Sequence, residues 1–185
     1  FNMVIINDKV VISDNLGNVY AYNYKNYKKI WFANLSVPFV SDIKIYKNNI
    51  YLINTNSKLF SINSDSGKIN WSYSSSSKKL KGKKTYRLAI NKNLLFYTDD
   101  NAEIYCLNLD SNTILWSLKL QLENFINIPK IFEASTILIV NNILYFSTNY
   151  GLTYAIDTFN GRIIWYKSYG VSNYSFLHYA PISNF

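Results

Sequence analysis

The chain has few side chains with which to do chemistry. Among its 185 residues stand one cysteine, Cys106, and one histidine, His178. One of each cannot build an all-His/Cys zinc site, which takes four ligands. A single thiol forms no internal disulfide, so cysteine usage carries no information about redox compartment. A reactive thiol needs an exposed, electropositive setting, whereas Cys106 falls in a repeat position otherwise held by Ala or Ser, where a free Cys packs as a compact apolar group. His178 is a general base by residue type alone; no Ser, Cys or carboxylate joins it in a motif, and it reads as a linker residue. The adjacent acids Asp99 and Asp100, with Asp14 at the equivalent place, are the nearest thing to a hard-cation site. Calcium takes six or more oxygens, however, and Asp is favoured at turns for its local backbone hydrogen bonds. We read these acids as turn residues.

The net charge of +8 is local. Lys78, Lys79, Lys81, Lys83, Lys84 and Arg87 carry six positive charges with no acid among them, and without them the chain is near +2. Such a loop suits an acidic protein surface or anionic lipid headgroups, and its simpler reading is a solvated connection. Nucleic acid is not an expected partner, because no stacking platform or base-reading motif accompanies the charge.

The elements that would hold these residues come from an internal repeat. Small residues at Ala21, Ser61, Cys106 and Ala155 are followed two places on by Asn23, Asn63, Asn108 and Asp157, and ten places on by Trp31, Trp71, Trp116 and Trp165. All four tryptophans share one register. Repeats at this period decide architecture before any local reading does. Each unit predicts four short strands rich in Val, Ile, Tyr, Phe and Trp: 3–6, 10–14, 18–23 and 28–32; 42–46, 50–54, 58–63 and 68–73; 85–90, 94–99, 103–108 and 113–119; 136–140, 143–148, 152–157 and 162–168. The first joint in each unit is Asn-rich, as hairpin turns favour. The second ends on Tyr27, Gly67, Asn112 or Gly161. Tyr suits positive φ poorly, so the first unit is expected to use a different turn. Pro38, Pro129 and Pro181 lie between units, where no ladder bond is lost.

Several strands are apolar on both faces, as in Ile143-Leu144-Tyr145-Phe146, which fits sheets stacked face to face better than one sheet with a wet face. Four-stranded units of this length, radially repeated, define an all-β propeller. The expected blades are approximately 1–34, 38–75, 84–120 and 130–168, with 169–185 a linker and the start of a fifth. Tyr20, Phe60, Tyr105 and Tyr154 share one repeat position and are expected to pack between blades.

The pattern Ala155-x-Asp157-x-x-x-Gly161-x-x-x-Trp165 resembles the tryptophan docking motif of the pyrroloquinoline-quinone (PQQ) repeat family. The second repeat keeps Gly67 and Trp71, the third Cys106 and Trp116, and the first Ala21 and Trp31. The resemblance implies a girdle of tryptophans locking blade to blade, and a propeller of seven or eight blades of which this chain holds about half. Within the superfamily the short repeats look like the non-enzymatic BamB-like branch. That branch implies a periplasmic scaffold for protein partners of the outer-membrane barrel-assembly complex, anchored by an N-terminal lipid outside this sequence, with no cofactor. The alternative branches are a quinoprotein dehydrogenase using PQQ and calcium, and a ligand-binding sensor propeller.

Overall fold

A computed structural model describes residues 2–74, 86–120 and 132–169. It contains sixteen strands in four antiparallel meanders, each sheet taking its strands in sequence order. Blade 1 is β1 (Asn2–Ile6), β2 (Lys9–Ser13), β3 (Asn18–Asn23) and β4 (Lys29–Asn34). Blade 2 is β5 (Lys44–Tyr46), β6 (Asn49–Ile53), β7 (Lys58–Asn63) and β8 (Ile69–Ser74). Blade 3 is β9 (Leu88–Asn91), β10 (Leu94–Thr98), β11 (Glu103–Asn108) and β12 (Thr113–Lys119). Blade 4 is β13 (Leu138–Val140), β14 (Ile143–Ser147), β15 (Leu152–Asp157) and β16 (Ile163–Ser168). All sixteen expected strands are present. The first strands of blades 2, 3 and 4 start later than their sequences suggest. In two of them a hydroxyl replaces the ladder bond: the Ile53 N–H donates to Ser41 Oγ (2.7 Å), and the Ser147 N–H to Ser135 Oγ (2.9 Å).

The spacing of ten between small residue and tryptophan has a direct geometric meaning. The two are cross-strand partners: Ala21 with Trp31, Ser61 with Trp71, Cys106 with Trp116 and Ala155 with Trp165. The register shifts immediately after each small residue, a bulge that bends and twists the strand at that point. A side chain without bulk there leaves room for the indole lying across it, and all four small residues are fully buried.

The turns between third and fourth strands are built alike in all four blades. The side-chain oxygen of Asn23, Asn63, Asn108 or Asp157 accepts the backbone N–H groups two and three residues on, at 2.8–3.3 Å. Blade 1 is no exception, which corrects the expectation of a different turn there. Tyr27 takes φ +60, and its N–H donates to the Asn23 carbonyl at 2.8 Å, as Gly67 and Gly161 do to Asn63 and Asp157. Its ring stands in solvent, 84% exposed, so the strain is that of the backbone alone, about 1–2 kcal/mol, and the turn's hydrogen bonds offset it. At the first hairpins the left-handed residues are Asn7, Lys47, Lys92 and, in blade 4, both Asn141 and Asn142, so lysine takes that conformation in two of these Asn-rich joints.

The core lies between the blades. One cluster joins blades 1 and 2 through Val11, Val19, Trp31, Leu52, Phe60 and Ile62. A second joins blades 2 and 3 through Tyr51, Ile53, Leu59, Leu95, Tyr97 and Tyr105. A third joins blades 3 and 4 through Phe96, Ile104, Cys106, Leu144, Phe146 and Tyr154. Each middle blade is therefore apolar on both faces, the reason its strands do not alternate cleanly.

Candidate functional site

Each seam pairs a face that carries the tryptophan with a face that receives it. In blade 1 the carrying row runs Val4, Val11, Ala21, Trp31 across the four strands. Trp31 is 8% exposed and its Nε1–H donates to the Ser64 carbonyl of blade 2 at 2.8 Å. Its ring lies against Gly67, where a Cβ would stand 2.5 Å from the indole. Gly67 is thus required twice, for φ +70 and for space. The blade 3–blade 4 seam repeats the hydrogen bond and the glycine contact, with Trp116 half-buried. Trp116 donates to the Thr158 carbonyl at 3.1 Å, and a Cβ at Gly161 would lie 2.7 Å from its ring. At the middle seam Asn112, φ +57, replaces the glycine, and Trp71 is half-buried against Tyr51.

Charged clamps reinforce two seams. Asp65 of blade 2 accepts from Lys9 of blade 1 and from Asn48, and these donors, Lys9 first, hold its carboxyl below the usual range. Asp110 of blade 3 accepts from Lys47 (2.6 Å) and the Tyr46 hydroxyl (3.0 Å) of blade 2, which lower it likewise.

The residues that suggested chemistry have structural partners. Asp14 Oδ1 accepts the N–H groups of Leu16 and Asn18, and its Oδ2 accepts from the Asn18 amide and the Tyr20 hydroxyl. Asp99 Oδ1 accepts from the N–H groups of Asn101 and Glu103, and Oδ2 from the Tyr105 hydroxyl at 3.3 Å. Asn54 and Thr148 serve the same turn in blades 2 and 4. With these oxygens tied to the turns, Asp14 and Asp99 do not fit a calcium–quinone site. Cys106 is fully buried, its thiol is pushed up to about 12 by burial, and its Sγ lies 4.0 Å from the same Thr158 carbonyl that accepts from Trp116. Among the described residues no three His, Cys, Asp or Glu side chains stand together as metal ligands.

Lys78, Lys79, Lys81, Lys83 and Lys84 lie outside the described residues, as do His178 and the segment 170–185. Arg87 is described, and its Nε–H reaches the Ala134 carbonyl, 3.4 Å away on the segment entering blade 4. The structure therefore gives this arginine a contact within the fold. The first strands of blades 2, 3 and 4 line a cleft of about 380 Å³ with Lys44, Ile45, Ala89, Asn91, Leu138 and Ile139 among its walls.

As expected of half a propeller, two blade faces stand open among the described residues. On blade 4 the carrying row Leu138, Tyr145, Ala155, Trp165 faces away from blade 3, with Trp165 45% exposed. On blade 1 the receiving rows, Met3–Ile12–Tyr20–Phe32 and Ile5–Val10–Tyr22, face away from blade 2, with Met3 75% and Ile5 65% exposed. Tyr20 therefore packs on Tyr22 and Phe32 of its own blade, whereas Phe60, Tyr105 and Tyr154 are buried in seams as expected. Among the described residues the repeat leaves one carrying and one receiving face without a neighbour.

Four meandering blades, stacked through alternating faces, define this as a β-propeller protein. The chain belongs to the family described as outer membrane protein assembly factor BamB, which it matches over residues 3–174. Among solved structures it is similar to BamB from Moraxella catarrhalis, with a TM-score of 0.71 and 17% identity over 86% of this chain and 49% of that one. It is also similar to the computationally designed Ika8 protein (TM-score 0.71, 11% identity, 89% of this chain, 48% of that one). A third likeness is to the quinohemoprotein alcohol dehydrogenase of Comamonas testosteroni (TM-score 0.68, 12% identity, 90% of this chain, 34% of that one). The chain thus spans about half the length, or less, of these structures. No curated protein matches it in sequence.

Proposed function

We propose that this chain is a non-catalytic propeller scaffold that binds protein partners in outer-membrane protein assembly, in the periplasm. Family membership carries the reading. The repeated polar side chains support it: they are bound up in turns and seams, which leaves recognition to the loops that a rigid scaffold holds in place. On this reading the tryptophan contacts are the docking motif of the PQQ repeat, and the lysine-rich segment 78–84 is an auxiliary contact for an acidic partner or anionic lipid. Affinity capture with the periplasmic domains of the barrel-assembly complex tests it. Retention that falls with added salt is expected, and no retention at any salt would overturn the partner assignment.

A second reading, a quinone-dependent dehydrogenase, is favoured by the likeness to the Comamonas enzyme. Dye-linked alcohol oxidation in the presence of PQQ and calcium separates the two. No turnover is expected, and robust turnover would replace the scaffold reading.

A further inference from the structure

We propose that the outer edge of blade 3, along β12, is a strand-addition site, and that its occupant is an extended segment of another polypeptide in which apolar and acidic residues alternate. This surface is separate from the loops, and it does not depend on which assembly the scaffold serves.

The register of the ladder defines the site. β12 ends its sheet, so one of its edges has no strand beside it among the described residues. The Leu120 N–H donates to the Ala102 carbonyl at 2.8 Å, and facing residues in an antiparallel ladder alternate between bonded and non-bonded pairs. Counting back through Lys119–Glu103, Leu118–Ile104, Ser117–Tyr105 and Trp116–Cys106, Leu118 and Trp116 bond to β11. Ser117 and Lys119 therefore turn their N–H and C=O groups outward, and an open row of that kind is a template for another chain. Charge usually blunts such edges. β12 is nevertheless the longest of the four outer strands, with seven residues, and its one charge, Lys119, stands at its end. Its bulge comes before Trp116 and leaves residues 116–119 regular. Blade 3 has a neighbour on each face, so the exposure of this edge owes nothing to where the chain begins or ends.

The side chains define the occupant. Trp116 and Leu118 share the face toward blade 4 and are half-buried, while their cross-strand partners Cys106 and Ile104 are fully buried. An apolar residue at every second position of an added strand would finish covering them. In strand addition the main-chain bonds supply affinity and alternate side chains supply specificity. Ser117 and Lys119 lie on the opposite face, and both are exposed. The charge on the outer strands has one sign. Residues 28–34, 68–74, 113–119 and 162–168 hold Lys28, Lys29, Lys68, Lys119, Arg162 and Lys167 and no acid. All six are exposed, and none forms an ion pair among the described residues. Glu103, the residue of β11 in register with Lys119, accepts from the Tyr105 hydroxyl at 2.9 Å. The intervening positions of the occupant are therefore acidic. Anionic lipid would meet the charge but offers no ladder to the outward N–H and C=O groups, so a polypeptide fits this edge better.

Fluorescence anisotropy of a labelled peptide that alternates valine and glutamate, titrated with residues 1–185, tests the proposal. Saturable binding is expected, and no binding at millimolar chain would overturn it. Ser117→Pro removes an outward N–H and no ladder bond, a change that edge strands tolerate. It should weaken binding by about tenfold or more, the scale of a hydrogen bond left unmade. Ser117→Ala keeps the N–H and should bind as the parent does. Circular dichroism checks that both variants fold. Hydrogen exchange on the unaltered chain reads the same contact without a substitution. The Ser117 and Lys119 amides should become protected when the peptide is added, and unchanged exchange at both would refute strand addition. Lys119→Glu should weaken binding as well, and unaltered affinity would overturn the acidic character of the occupant. Phosphatidylglycerol vesicles that bind the parent and Ser117→Pro chains alike, and displace the peptide, would make this edge a lipid contact instead.

Discussion

The seam between blades 1 and 2 and the seam between blades 2 and 3 join the same kinds of sheet by different means. The first is aliphatic, with Val11, Val19, Ile50, Leu52 and Ile62 around a buried Trp31 that lies flat on Gly67. The second is rich in tyrosine: Tyr51, Tyr86, Tyr97 and Tyr105 fill the space, with Tyr97 and Tyr105 stacked at 4.8 Å. There Asn112 holds the glycine position and Trp71 is only half-buried. The fold thus accepts two solutions. One buries an indole with its N–H paired to the next blade, and the other spreads the contact over phenol rings, whose buried hydroxyls usually take partners. The Tyr86 hydroxyl finds Ser57 and the Tyr105 hydroxyl finds Glu103 at 2.9 Å.

The sharpest way to break this comparison is to remove the tryptophans in turn. Trp31→Ala deletes a buried side chain and orphans the Ser64 carbonyl, and should cost about 3–5 kcal/mol in denaturant unfolding. Trp71→Ala should cost at least ~1 kcal/mol less, because part of its surface is already in water. Equal losses would mean that the two seams depend on their indoles alike.

Next in size is the glycine. Gly67→Ala places a methyl 2.5 Å from Trp31 at φ +70. Left-handed strain of about 1–2 kcal/mol and overpacking of about 1–3 kcal/mol should together lower stability by roughly 2–5 kcal/mol. The reverse change in the other seam, Asn112→Gly, should move stability by less than about 1 kcal/mol, since Asn already tolerates that conformation. A thermal melt of each variant checks the pair.

The two seams also explain what could be read in advance. The register of small residue, turn and tryptophan was legible because cross-strand pairing inside a blade is local, and a spacing of ten reports it directly. Strand positions followed from β-branched and aromatic runs. Tyr27 was misread because propensity was weighed alone, while the Asn23 side chain and carbonyl already fix that turn. Arg87 was grouped with neighbouring lysines by charge, though its contact is with Ala134, 47 residues away. The depth of each tryptophan shows only in the assembled seam: Trp31 is buried, while Trp71 and Trp116 are half-buried.

A smaller effect probes the tyrosine seam from within. The Tyr97 hydroxyl is buried without a hydrogen-bond partner among the described residues, while the ring it stacks on has a satisfied one. Leaving such a group unpaired costs about 1–3 kcal/mol. Tyr97→Phe should therefore be neutral or stabilising by up to about 1 kcal/mol, and Tyr105→Phe destabilising. If both changes cost stability, the Tyr97 hydroxyl has a partner after all.

The same seam should leave a signature in the pH dependence of stability. Burial, the dominant influence, holds the Asp99 carboxyl above the usual carboxylate range, while Lys47 and Tyr46 hold Asp110 below it. The signs are opposite. Around and above the unfolded value of about 3.9, folded Asp99 binds more protons than the unfolded chain, so its contribution falls as pH rises through its raised folded value. Asp110 contributes stability that is present above its unfolded value and lost as pH falls through its lowered folded one. Asp99→Asn should remove the first component without dismantling the turn, because Asn54 already accepts the N–H groups of Asn56 and Lys58 at the equivalent place in blade 2. Urea unfolding of the parent and Asp99→Asn chains between pH 4 and 7 should therefore diverge as pH rises, with the variant the more stable at pH 7. Parallel curves would mean that Asp99 is ionised throughout that range in the folded protein, its turn N–H donors outweighing its burial.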